Sequence, residues 1–345
     1  MTKKISLILG NGFTIDFLKY ISTDTHDLTK SINVTNIFAD GGALRWPLDG
    51  RPGFLSYKHC PNLWGVGARS FLSSAASIEI LERVVTCANV YSLKRTEVLG
   101  DKTGNGFLHA YKELVSYLKY LFIHYNKQVA TLPANIGEWS WSKFLLQLNS
   151  DPEIEEVIVI SYNYDIWFER ILEELKIEFE VPLLNKNPIA KFHLFKPHGS
   201  ISYHHKKSLP PDSFSINYKS FSSDCPLSDI DISYTNLDRH TPINFIIPPA
   251  GESGRSTSTW AQSIRNECSS RLATFKPDDL AVICGLSYWH VDRAEIDALI
   301  NAMNPDMDIV HLNPFPSPTL DAVLNSLFNR YTQLATSSLL KDYPI

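Results

Sequence analysis

Five short stretches of the chain are almost continuously apolar: residues 5–9, 157–160, 192–195, 280–285 and 308–312. Runs of four to six such residues, bounded by turn-forming residues, predict buried strands. Between them the spacing changes to the helical period. Residues 13–18 open a helix after the first strand, 166–175 form an amphipathic helix, and further helices fall near 258–272, from about 292, and near 319–334. From 73 to 150 the pattern is helical throughout. Ile78, Ile80, Leu81, Val84 and Val85 make one apolar stripe, Leu108, Tyr111, Leu114, Leu118, Tyr120 and Leu121 a second, and residues 139–148 a third, with the aromatic residues assigned to the core. Continuous apolar strands alternating with helices define an α/β protein with a Rossmann-like, mostly parallel sheet covered on both faces.

Two segments break this rhythm. Residues 38–70 are rich in Gly, Pro and Trp and read as a long ordered loop beside a pocket; residues 203–242 are polar and Pro/Ser-rich and read as an inserted loop or small β subdomain. The expected organisation is one domain over 1–345, with 73–150 as a helical insertion. No internal repeat is evident.

Composition narrows the class. A chain of 345 residues with 44% hydrophobic and 20% charged positions can bury a full core, which excludes a disordered tail protein. No run approaches the roughly 18 apolar residues of a membrane span, and residues 5–9 are too short for a signal-peptide core, so a cytoplasmic protein without membrane contact is expected. The 32 basic and 37 acidic residues give a net charge of −5 without basic blocks, so direct nucleic-acid binding is not expected. Cys60, Cys87, Cys225, Cys268 and Cys284 stand far apart with no CxxC pair, which argues against a disulfide framework and a zinc knuckle.

The candidate chemistry lies at the strand ends, where ligands bind in open parallel sheets. Gly10-Asn11-Gly12 closes the first strand; such a turn lets backbone approach a phosphate at a helix N-terminus, although alone it reads equally as a tight turn. The dinucleotide pattern of a dehydrogenase is incomplete, because position 15 is Ile and residues 28–30 are Leu-Thr-Lys. Asn163 and Asp165 end the second strand. An amide there can exchange hydrogen bonds with sugar hydroxyls, and a carboxylate can hold an amide or steady a developing cation; the competing reading is capping of helix 166–175. His198, between Pro197 and Gly199, is an imidazole on a rigid turn and a candidate general base, against a purely structural role among 11 histidines. His204-His205 reads as solvated, and no metal site is expected.

Taken in order, the glycine loop, Tyr162-Asn163-Tyr164-Asp165, Pro197-His198-Gly199-Ser200, Gly285-Leu286-Ser287 and Leu312-Asn313-Pro314 resemble the sirtuin (SIR2-like) NAD-binding family over residues 5–334, and most of all the SIR2-like proteins of bacterial antiphage defence. The opening Gly-Asn-Gly-Phe is also similar to the AbiH-type abortive-infection group. The resemblance implies that Gly10, Asn11, Gly12 and Phe13 surround the pyrophosphate of NAD. It places Asn163 near the nicotinamide ribose and the attacking water, Asp165 on the nicotinamide side, and His198 as the catalytic histidine. Gly285 and Ser287 would form a phosphate loop and Asn313 would lie on the adenosine side. Deacylase sirtuins carry two CxxC pairs between the His-Gly and Gly-x-Ser motifs; here residues 200–284 hold only Cys225, Cys268 and Cys284. The resemblance therefore implies NAD as substrate and an NAD glycohydrolase releasing nicotinamide and ADP-ribose. Protein deacylation and non-catalytic sensing of NAD or ADP-ribose are the alternatives. It also implies a homo-oligomer silenced until triggered, with a separate partner such as a hexameric DNA-translocating ATPase or an Argonaute-type protein.

Overall fold

The computed structural model describes residues 2–23, 27–94, 106–218, 224–248, 258–288 and 293–344. In chain order the elements are β1 (Lys3–Leu9), α1 (Asn11–Ile21), α2 (Leu28–Ser31), α3 (Pro61–Gly65), α4 (Ser74–Lys94), α5 (Gly106–Gln128), α6 (Ser140–Ser150), β2 (Ile154–Ser161), α7 (Trp167–Glu174), β3 (Phe179–Glu180), β4 (Phe192–Phe195), β5 (Gly199–His205), β6 (Ile230–Ile232), β7 (Asn244–Ile246), α8 (Thr259–Leu272), β8 (Leu280–Cys284), α9 (Arg293–Ala302), β9 (Asp308–Leu312), α10 (Pro318–Leu327) and β10 (Arg330–Leu334). Seven strands form one sheet in the order β10-β9-β8-β1-β2-β4-β3. Every neighbouring pair is parallel. This is the expected Rossmann-like α/β architecture.

Strand alternation sends side chains to two cores. Ile5, Leu7, Leu9, Val157, Val159 and Val282 face one side, where α1, α5, α6 and α7 pack. Ile8, Ile158, Ile160, Ala281, Ile283 and Ile309 face the other, against α8, α9 and α10. The helices of 74–150 belong to the first core and are continuous with the sheet. Their aromatic residues are core residues as expected: Phe13 of α1 meets Trp139, Trp141 and Phe168 at centroid distances of 5.2–5.6 Å. The 203–242 region contributes to a second, antiparallel sheet, β6-β5-β7; residues 219–223 of it lie outside the described residues.

Three expectations are corrected. The last helix ends at Leu327, and Arg330–Leu334 is a strand parallel to β9. Its Tyr331 and Thr332 have high strand propensity, and its half-exposed residues suit an edge strand better than a helix. His204 is completely buried and not solvated, because β5 is enclosed by β6, β7 and α5. Residues 38–70 do not line the principal cavity. They are held on α5 instead, where the fully buried Glu113 carboxylate accepts the Leu63 N–H at 2.7 Å, the Asn62 N–H at 3.1 Å and the Tyr218 hydroxyl at 2.8 Å.

The chain runs from β1 to β2 on one side and returns to β8 on the other. β1 is therefore the point where strand order reverses, and the crevice beyond its carboxyl end is where such sheets bind ligands.

Candidate active site

A cavity of about 670 Å³ opens at that crevice, within the size range of small-molecule and cofactor sites. Its floor comes from four strand ends: Gly10 and Asn11 after β1, Tyr162, Asn163 and Tyr164 after β2, His198 after β4, and Gly285, Leu286, Ser287 and Tyr288 after β8. Its wall comes from Val34, Thr35 and Ile37, from Ser77, Ile78 and Leu81 of α4, and from Arg293 and Ile296 of α9.

The floor is locked by two glycine turns that cross. Gly285 has φ +65°, and a Cβ on it would lie 2.2 Å from the Gly12 Cα; a Cβ on Gly12 would lie 2.4 Å from the Gly285 Cα. Only two hydrogen side chains let β1 and β8 end this close together. The backbone closes the crossing: the Gly10 N–H donates to Cys284 O at 2.9 Å, the Gly12 N–H to Gly285 O at 3.3 Å, and the Gly285 N–H to Leu312 O at 3.2 Å. The expectation that these three N–H groups face a pyrophosphate is thereby corrected, since all are consumed within the fold. Gly10 and Gly285 remain cavity surface, while Gly12 packs beneath it. Phe13 is core and does not line the cavity, and Asn313 closes its own turn by accepting the Phe315 N–H at 3.0 Å.

Asn163 is 5% exposed and holds the β1 and β2 ends together, its Nδ2 donating to Gly10 O at 2.9 Å. That bond fixes the amide, and its Oδ1, which has no hydrogen-bond partner among the described residues, remains to accept from a ligand hydroxyl or a water. Asp165 does not line the cavity. Its carboxylate accepts the Thr14 hydroxyl at 2.9 Å and the Trp167 N–H at 3.2 Å, so from the position before the Ile166 N-cap it holds the turn into α7 and ties it to α1. Burial pushes its pKa above the ordinary carboxylate value, opposed by Lys196 and the Thr14 hydroxyl.

His198 sits on a turn that admits no alternative. Gly199 has φ +83°, and a Cβ there would meet Phe245 O at 1.9 Å. Below it, Lys196 is fully buried, paired with Glu169 at 2.7 Å and donating to Asp165 O and, at 3.3 Å, to Ser200 Oγ. This cation joins the β2 and β4 ends and α7 from underneath. The His198 ring packs edge-on against Tyr162 at 4.9 Å, and its Nε2 lies 3.2 Å from the Glu295 carboxylate.

The wall is braced by the helical segment. The Tyr117 hydroxyl donates to Ile37 O at 2.6 Å, the Tyr125 hydroxyl contacts Asn33 O at 3.2 Å, and the Ser77 hydroxyl donates to Asn36 Oδ1 at 2.8 Å. Asn11 donates from Nδ2 to Val34 O at 3.4 Å, joining wall to floor.

Of the ten residues singled out in sequence, the cavity thus gathers Gly10, Asn11, Asn163, His198, Gly285 and Ser287 and leaves Gly12, Phe13, Asp165 and Asn313 in supporting positions. Sequence reasoning missed Tyr162, Tyr288, Arg293 and Glu295. Arg293 is the cavity's one arginine or lysine among the described residues, lying over the Tyr288 ring at 5.0 Å. Its signal was present as a cation opening the helix after a strand end, but a surface charge reads the same way. Among the described residues no three His, Cys, Asp or Glu side chains converge as a metal site would require, and no helix is long and apolar enough to cross a membrane. Compared with known proteins, the chain matches no family model and no curated protein.

Proposed function

We propose that the chain is an NAD glycohydrolase, cleaving the nicotinamide N-glycosidic bond to give nicotinamide and ADP-ribose. The observation that carries this reading is the meeting of Asn163 and His198 in one cavity at the reversal point of a Rossmann-like sheet, with a cation at its wall. Loss of nicotinamide leaves an oxocarbenium-like ribose, so a productive site must orient the ribose, supply a nucleophile and take up a proton. Asn163 Oδ1 accepts from a ribose hydroxyl or the attacking water. His198 removes the proton from that water, directly or through a ribose hydroxyl. With the glycine N–H groups already used, phosphate charge falls to Arg293 and to the backbone at Leu286 and Ser287, whose N–H groups make no hydrogen bond among the described residues. Gly10, Asn11 and Gly285 form apposed backbone surface.

On this reading the protein is a cytoplasmic NAD-depleting effector of antiphage defence, working as a homo-oligomer. Unrestrained NAD loss would kill its own cell, so a separate regulatory partner, of the DNA-translocating ATPase or Argonaute type, holds it silent or triggers it. The test is nicotinamide release from NAD by the protein over a wide concentration range, with and without an acetyl-lysine peptide. Release that needs no peptide and is lost in Asn163→Ala and His198→Ala supports hydrolysis. Peptide-dependent release supports deacylation, and NAD binding without release supports a sensing module.

A further inference from the structure

We infer that Glu295 is a positioning residue for His198, holding the imidazole in the tautomer protonated on Nε2 so that Nδ1 is the nitrogen left to accept a proton. The kinetic part of this inference rests on the glycohydrolase reading; the tautomer itself does not.

Glu295 lies on α9 and does not line the principal cavity. One of its oxygens, Oε2, lies 3.2 Å from His198 Nε2 and 3.2 Å from Arg265 Nε of α8. All three side chains are at least nine-tenths buried. An ionised carboxylate only accepts hydrogen bonds, and an arginine beside it keeps it ionised, so the proton shared with His198 resides on Nε2. A neutral imidazole protonated there carries its lone pair on Nδ1.

Three further constraints leave the ring little freedom: the edge-on Tyr162 ring, the fixed φ of Pro197, and Gly199 in a conformation no other residue fits. Arg265 and Glu295 line a separate cavity of about 200 Å³ behind Tyr162 and Pro197. Glu295 therefore approaches His198 from outside the principal cavity and acts through it. Arg293 and Glu295 are two positions apart on α9, about 200° around the helix, which explains how one helix serves the cavity with a cation and the histidine with a carboxylate.

The experiment combines imidazole ¹⁵N NMR on histidine-labelled full-length protein, with His198 assigned by its loss in His198→Ala, and nicotinamide-release kinetics. The wild type is expected to show His198 as one tautomer, Nε2–H. In Glu295→Gln an amide can donate as well as accept, so that signal shifts toward Nδ1–H or exchange-averages, and kcat falls roughly 10²- to 10⁴-fold with KM unchanged. Glu295→Asp recovers part of the loss. Because Glu295→Gln also removes the negative charge beside Arg265, the double variant Glu295→Gln/Arg265→Met is measured beside it and is expected to show the same tautomer loss. A His198 signal identical in wild type and both variants overturns the inference, as does Nδ1–H in the wild type. If the tautomer shifts but no protein cleaves NAD, the glycohydrolase reading fails and the positioning role stands. If the wild type cleaves NAD and Glu295→Gln matches it, the reverse holds.

Discussion

Replacing Lys196 with Met removes a buried cation on which three strand and helix ends converge, and the consequence can be worked from its partners. Glu169 loses its counter-ion 2.7 Å away at a site where both side chains are 1% exposed. Burial already pushes the Glu169 pKa above its ordinary 4.5, and Lys196 is what opposes that shift. Without the lysine, the carboxyl either stays charged at large cost or takes a proton. Taking a proton at pH 7 costs about 3.4 kcal/mol, at about 1.36 kcal/mol per unit above 4.5. The donor lost from Asp165 O adds about 1 kcal/mol, for a loss of at most about 4 kcal/mol, in line with broken buried pairs generally.

The sign of the pH dependence follows. In the variant, folded Glu169 keeps a proton that the unfolded chain releases above pH 4.5, so stability falls as pH rises from 4.5 to 7. Wild-type Glu169 is itself raised above 4.5 and shares part of this dependence, so relative to wild type the variant should regain at most about 2.7 kcal/mol between pH 7 and pH 5. Urea unfolding at several pH values measures this directly. Lys196→Met/Glu169→Leu removes both members of the pair and leaves only Asp165 without its neighbouring cation, so it should cost less than the single lysine change. A single-variant loss near 1 kcal/mol, a difference from wild type that is flat with pH, or a double variant as unstable as the sum of the singles would refute the reasoning.

Other predictions are briefer. Gly285→Ala forces the β1 and β8 ends apart and should cost about 3 kcal/mol or more in urea unfolding, whereas Gly50→Ala, with φ +65° but nothing within 4 Å of the new Cβ, should cost only about 1 kcal/mol; equal costs would remove the argument from close approach. His204 is driven down to about 3 by burial and by Lys119 and Arg239, so it is neutral when folded while the unfolded chain protonates below its ordinary 6.5. Stability should therefore fall with pH between 6.5 and 3 by up to about 1.4 kcal/mol per unit, and His204→Phe should flatten that slope in thermal melts. Arg293→Gln should raise KM for NAD by about 10- to 100-fold with little change in kcat, the loss of one charge-assisted contact to phosphate; an unchanged KM would separate Arg293 from ligand binding.

What the sequence revealed and what it concealed divide along sequence distance. β1, β2, β4, β8 and β9 are visible because a strand buried on both faces must be apolar along its whole length, and the polar residues that follow each run mark where the crevice lies. Asn163 and His198 were found this way. The crossing of Gly12 and Gly285, the Asn163 bond to Gly10 O and the His198–Glu295 contact join residues 97–273 positions apart, and no local pattern encodes which strand ends abut. Asp165 illustrates the ambiguity of a polar strand end: the same carboxylate suits catalysis or a structural turn, and its hydrogen bonds to Thr14 and Trp167 place it in the turn that leads into α7. β10 was hidden because an edge strand is half exposed, so its apolar content is too thin to separate from the helix before it. Glu295 was hidden because a buried charge and a surface charge are the same letter.

The reaction itself is tested most directly by incubating the protein with NAD in H₂¹⁸O and following nicotinamide and ADP-ribose by mass spectrometry. Hydrolysis at this cavity predicts nicotinamide equal to the NAD consumed and one ¹⁸O in the ribose of the ADP-ribose product, with both signals lost in Asn163→Ala and in His198→Ala. Nicotinamide release that survives in both variants, or ADP-ribose formed without the label, would contradict it.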